Sequence, residues 1–132
     1  TVDSEGDVGW YTSLALDGGG HAHISYGYYD ASNHGLKYAH QDAAGWHTET
    51  LDTWGDEYGG STSLALDGGG YAHISYYNKG YGDLKYAHQD AAGWHLETVD
   101  SAGQYTSLAL DGGGYAHISY YDDGNGDLKY AH

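Results

Sequence analysis

Ser63-Leu-Ala-Leu-Asp-Gly-Gly-Gly-Tyr-Ala-His-Ile-Ser-Tyr76 is the stretch that decides the fold. Two short runs of alternating apolar and polar residues flank an Asp-Gly-Gly-Gly turn, which is the pattern of two paired strands. In the second run Ala72, Ile74 and Tyr76 share one face, while Tyr71, His73, Ser75 and Tyr77 share the other. The same stretch occurs from Ser107 to Tyr120 and, with His21 in place of Tyr71, from Ser13 to Tyr26. A third run, Leu36-Lys-Tyr-Ala-His40, returns at Leu84 to His88 and at Leu128 to His132. A fourth, Trp46-His-Thr-Glu-Thr-Leu-Asp52, is matched by Trp94 to Asp100, and its only other trace is Thr1-Val-Asp3. No window shows a helical period. Four short antiparallel strands in each unit of 44 to 50 residues predict an all-β protein of three propeller blades. The blades span approximately residues 4–52, 53–100 and 101–132.

The first two strands resemble those of NHL-type propeller blades, in which an apolar-Ala-apolar-Asp strand turns through glycines into its neighbour. The whole unit is similar to bacterial propeller repeats carrying Tyr-Thr-Ser-Leu-Ala-Leu-Asp, His-Ile-Ser-Tyr-Tyr and Asp-Leu-Lys-Tyr-Ala. The resemblance covers nearly the entire chain and implies a fold rather than a function, because propellers host many activities. Similar repeats often carry Pro before the His of the second strand. Here Ala22, Ala72 and Ala116 stand there, and the chain has no Pro, which leaves lineage and engineering equally open as origins.

Composition by itself argues the other way. Leu, Ile and Val number 17 among 132 residues and Phe is absent, below the share at which a highly charged chain folds around an aliphatic core. The 16 Tyr and 4 Trp offset this with large buried area per side chain. A net charge of −15, with four Lys and no Arg, excludes nucleic acid as a partner and disfavours anionic membranes. No apolar run is long enough for a membrane-inserted helix. Without Cys the compartment is not marked, and the sequence gives only a lean toward an extracellular setting. Met is absent even at position 1, so a processed chain, a fragment and an edited sequence all remain open.

The repeat alignment makes a geometric demand. Three blades are fewer than the roughly four to eight that surround a central channel. Thr1-Val-Asp3 matches the end of the outer strand that the last unit lacks. We therefore expect a homo-oligomer, a dimer closing head to tail into a six-bladed ring, with the alternative that the 132 residues belong to a longer chain.

Length varies between units only in the second-to-third and fourth-to-first connections, which share one side of the disc. Those connections carry Trp10, Trp54, Tyr28, Tyr29, Tyr58 and Tyr81 beside Asp56 and Glu57. Aromatic faces next to carboxylates suit sugar rings, which present C–H patches and hydroxyls together. The expected function is a non-enzymatic, self-assembling binding scaffold. A carbohydrate-binding lectin using these aromatics, and a purely structural or engineered repeat protein without ligand, are the alternatives.

Other chemistry is weaker in the sequence. His21 and His23 have a zinc-chelating spacing, but Tyr71 and Tyr115 replace the first His in the other units. His40 with His47, and His88 with His95, flank a turn as scaffold pairs. Asp123, Asn125 and Asp127 begin like a calcium loop, yet Leu128 stands where glycine is required, so no cofactor is expected beyond loosely held calcium. Ser63, Asp67 and His73 sketch a triad, but residues repeated in every unit are explained by the fold, and Asp17, Asp67 and Asp111 are expected to hold the glycine turns. Trp46 and Trp94, which open the fourth strands, are expected as blade-packing residues, and Trp94→Ala should cost about 3–5 kcal/mol if the indole is fully enclosed. Ten His residues should make assembly respond to mild acid.

Overall fold

The computed structural model describes residues 1–55 and 60–132; Asp56, Glu57 and Tyr58 lie outside the described residues. Each glycine turn is built by its aspartate. Asp17 accepts the backbone N–H groups of Gly19 and His21, both at 2.8 Å, and Gly20 takes a φ of +81° that only glycine adopts without strain. Asp67 and Asp111 repeat the arrangement.

From these turns come three antiparallel sheets. The first contains β1 (Asp7–Leu16), β2 (Ala22–Asp30), β3 (Asn33–Asp42) and β4 (Gly45–Trp54). The second contains β5 (Thr62–Leu66), β6 (Ala72–Asn78), β7 (Asp83–Asp90) and β8 (Gly93–Asp100). The third has β9 (Gln104–Leu110), β10 (Ala116–Asp122) and β11 (Asp127–Ala131), so its outer edge is unpaired among the described residues. Strand order follows chain order in every sheet, and the sheets pack face to face as successive propeller blades, with helices absent among the described residues.

The strands of the first blade are longer than the sequence pattern indicates. Trp10, Tyr28 and Tyr29 sit on strands rather than in loops, because the β1–β2 pairing continues through two bulges to Trp10↔Gly27, Val8↔Tyr28 and Asp7↔Tyr29. The connection after β2 shrinks to a turn at Ala31 and Ser32.

The core lies between blades rather than inside one. Leu36, Tyr38, Leu64, Ile74 and Tyr76 form the cluster between the first two blades; Leu84, Tyr86, Leu108, Ile118 and Tyr120 repeat it between the second and third. Polar contacts recur with the same logic. Ser13 Oγ accepts the Leu64 N–H at 3.0 Å, and Ser63 Oγ accepts that of Leu108 at 2.9 Å. Asp52 receives Lys85 and the Tyr76 hydroxyl, as Asp100 receives Lys129 and Tyr120. Thr1-Val-Asp3 falls into this series, since Asp3 accepts Lys37 at 2.8 Å and the Tyr26 hydroxyl at 2.7 Å.

Trp94 does pack between blades, edge-on to Tyr38 with ring centroids 5.1 Å apart and its Nε1–H donated to Glu49 at 2.9 Å. It is half-buried, however, as is Trp46. Both open outer strands, where one flank of the indole meets water.

Candidate functional site

Two adjoining clefts open on the side of the disc where the variable connections lie. The first, about 250 Å³, is lined by Trp10, Tyr11, Tyr28, His34, Trp54 and the backbone of Gly27, Gly35 and Gly60. The second, about 270 Å³, is lined by Tyr11, Ser61, Tyr77, Lys79, Gln104 and Tyr105, so Tyr11 and Gly60 belong to both.

Backbone distortion places the exposed rings. Tyr11, midway along β1, and Tyr105, near the start of β9, occupy equivalent positions in the repeat, and both take left-handed φ values, 51° and 53°, which tyrosine rarely adopts. Each sits at a break in strand register, so the bulge turns its ring out of the pleat. Trp10 and Tyr11 are about half exposed and Tyr105 more so. The ring of Tyr105 meets that of Tyr121 at 6.3 Å, and Gln104 Nε2 donates to Asp123 at 2.9 Å.

The floor is built differently. Tyr28 is buried, its hydroxyl 2.8 Å from Thr53 Oγ1 and its ring faced by the Lys37 ammonium at 5.7 Å. Gly35 is required beneath it, because a Cβ there would stand 2.4 Å from the Tyr28 ring. Trp54 is also buried and stacks on Tyr76 at 6.3 Å. His34 lies against Tyr29, centroids 4.4 Å apart, and its Nδ1 is 3.3 Å from the Gly55 carbonyl.

Of the aromatics singled out in the sequence, the fold gathers Trp10, Tyr28 and Trp54 into one cleft, puts Tyr29 behind His34, and leaves Tyr81 exposed and apart from both clefts. Asp56, Glu57 and Tyr58 are outside the described residues. Sequence reasoning missed Tyr11, His34, Tyr77, Lys79, Gln104 and Tyr105. Tyr11 and Tyr105 close two of the variable fourth-to-first connections in the sequence, but nothing there marks the bulge that turns their rings outward.

Apart from His34, the histidines form rows across each blade on the opposite side. His21 and His23 both turn to Asp17, at 3.2 and 3.6 Å, and His23 Nδ1 lies 2.5 Å from the Tyr38 hydroxyl. His40 and His47 stand opposite each other in the β3–β4 ladder, rings 5.0 Å apart, and His47 Nε2 is 2.9 Å from Asp42. His40, Asp42 and His47 offer ligand atoms within 4.8 Å of one another and, among the described residues, form a group that could hold a divalent ion. His88, Asp90 and His95 repeat the pairing. In the suggested calcium loop, Asp122 organises the turn, accepting the N–H groups of Gly124 and Asn125 and the Asn125 side chain, while Asp123 accepts Gln104. Ser63 is occupied with Leu108, while His73 contacts Asp67 at 3.3 Å and Tyr86 at 2.5 Å.

A larger cleft, about 470 Å³, lies between the second and third blades and is lined by Tyr86, Glu97 and Tyr115 among others. Tyr86 and Glu97 correspond to Tyr38 and Glu49, which hold Trp94 one junction earlier, so this space has the shape of an indole packing slot.

No protein-family profile and no curated protein matches the chain. Among solved structures, it is similar to one described as a fucose lectin from Kordia zhangzhouensis in complex with methyl-fucoside, with a TM-score of 0.58 and 22% identity over 90% of this chain and 89% of that one. At that identity the likeness is one of fold.

Proposed function

We propose that the chain is a non-enzymatic carbohydrate-binding module whose sugar site is the pair of clefts joined at Tyr11. The observation that carries this is the exposure of Trp10, Tyr11 and Tyr105 at bulged backbone positions beside the polar groups of Lys79 and Gln104. Strained backbone that holds large apolar rings in water costs stability, and these rings belong to neither apolar cluster between blades, which fits a ligand-facing role. A pyranose ring offers a C–H face to an indole or phenol while its hydroxyls use amide and ammonium donors. That a structural neighbour is a lectin in complex with methyl-fucoside supports fucosides as the first ligands to try.

The experiment is retention on immobilised glycans, fucosides included, for the native chain and for Trp10→Ala and Tyr11→Ala. Expected is retention that both variants lose by tenfold or more while their melting temperatures stay within a few degrees. If no glycan is retained, or the variants bind as before, the reading of a scaffold without ligand replaces this one.

A further inference from the structure

The chain contains one blade-to-blade junction twice and carries the two unmatched halves of a third. Leu64 and Leu108, on the innermost strands of the second and third blades, are 7% and 9% exposed because the preceding blade covers them; the equivalent Leu14 is 63% exposed. Leu36 and Leu84, on third strands, are wholly buried by the following blade, whereas Leu128 is 85% exposed. Tyr130 is likewise open where Tyr38 and Tyr86 are buried, and Ile24 is only partly covered where Ile74 and Ile118 are buried.

The halves match in shape as well as in exposure. A cleft of about 280 Å³ on the open face of the first blade is lined by Val2, Asp3, Gly9, Thr12, Ile24 and Tyr26, among others. Gly9 and Gly103 are equivalent in the repeat. A Cβ on Gly103 would lie 2.3 Å from the Leu84 side chain, whereas a Cβ on Gly9 would meet nothing within 4 Å. At the internal junction, then, a third-strand leucine fills the space that stands open beside Gly9. Leu128 is the third-strand leucine without such a space.

The polar contacts are divided in the same way. Ser107 is the counterpart of Ser13 and Ser63, which accept the N–H of the next blade's leucine. Ser119 is the counterpart of Ser25 and Ser75, which pair with Thr62 and Thr106 of the next blade. Asp3 already occupies, on its own first blade, the place that Asp52 and Asp100 take on the blades that follow them.

We propose that a second copy of this chain docks its third blade against the first blade, and reciprocally, so that two chains close a six-bladed ring. Leu128 enters the cleft beside Gly9, and Thr1-Val-Asp3 pairs with the open edge of β11. The register follows from Leu36↔Asp52 with Lys37↔Thr50 and Leu84↔Asp100 with Lys85↔Thr98, which place the partner's Leu128 opposite Asp3 and the partner's Lys129 opposite Thr1. Six blades fall within the range that closes around a channel, and closure covers the exposed strand edge at both junctions. Each junction also creates one further inter-blade cleft on the variable side. Its use for sugar rests on the reading proposed above; the assembly does not.

The test is the mass of the native chain by sedimentation or native mass spectrometry. Sedimentation is run in ~0.15 M salt, where repulsion between acidic surfaces is screened beyond ~8 Å. Expected is twice the mass of one chain. Leu128→Asp and, at the opposite end, Leu14→Asp should each give the mass of one chain with β-sheet circular dichroism retained, since both side chains are exposed within a single chain. Leu96→Asp, exposed on β8 and in neither apolar cluster, should leave the doubled mass unchanged. Overturning results are a folded native chain of single mass, a ladder of masses beyond two chains, or a doubled mass that survives both end variants. Because the readout contains no sugar, failure of the assembly and failure of glycan retention are separate outcomes.

Discussion

Asp52 Oδ2 at the end of the first blade's outer strand lies 2.7 Å from the Lys85 ammonium on the third strand of the second blade, and it accepts the Tyr76 hydroxyl at the same distance. One carboxylate thus ties two blades together at a place where both partners are largely shielded from water. Asp52→Ala leaves the ammonium and the hydroxyl without their acceptor and should cost about 3 kcal/mol. Urea denaturation measures it. A loss below about 1 kcal/mol would show that the junction is held by its apolar contacts alone.

Acid should unfold the protein through Asp3 and Asp17. Burial by itself would raise Asp3, but hydrogen bonds from Lys37, the Glu5 N–H and Tyr26 outweigh it and hold the group at about 2. The His21 N–H is the main cause that holds Asp17 at about 2. The unfolded chain takes up these protons near the ordinary value of 3.8, so the stabilisation is complete above about pH 4 and is lost as pH falls toward 2. Melting temperatures between pH 6 and 2 should decline in that window, and Asp3→Asn should make the decline shallower.

A second window opens nearer neutrality. Burial pushes His23 below its ordinary 6.5, against the opposing pull of Asp17. The unfolded chain therefore binds this proton first, and the stability contributed by neutral His23 is present above about 6.5 and falls as pH drops below it. Denaturation midpoints should decrease from pH 7 to 5, with a smaller decrease in His23→Gln. A midpoint that rises on acidification contradicts the assignment.

Trp94 separates half-burial from full burial. Its indole meets Tyr38 and Glu49 on one flank only, so Trp94→Ala should cost about 2 kcal/mol, below the ~3–5 kcal/mol of a fully enclosed tryptophan. Chemical denaturation distinguishes the two values.

Trp54 and Trp10 line the same cleft but answer different questions. Trp54 is enclosed and stacked on Tyr76, so Trp54→Ala should lose about 3 kcal/mol and take sugar retention down with the fold. Trp10→Ala should change stability by less than about 1 kcal/mol. Calorimetry on the two variants, run beside the retention assay, checks the division.

The strands, the blade count and the glycine turns are legible in the sequence because each depends on neighbours in the chain. Alternation over five residues fixes a face, Asp-Gly-Gly-Gly fixes a turn, and repetition fixes how many blades there are. Alignment also matches Thr1-Val-Asp3 to an outer-strand end, and Asp3 makes the same lysine and tyrosine contacts as Asp52 and Asp100. The site was less legible. Tyr11 and Tyr105 look like the last residues of loops until the pairing extends past them and the register break turns them outward, and Trp54 looks like a loop aromatic until Tyr76 from the next blade covers it. Leu14, Leu64 and Leu108 stand in one identical motif, yet the first is exposed and the others are buried. Local pattern determines which way a side chain points within its own sheet. Whether another blade arrives to cover it is decided only by packing between residues some fifty positions apart, and no stretch of sequence records that by itself.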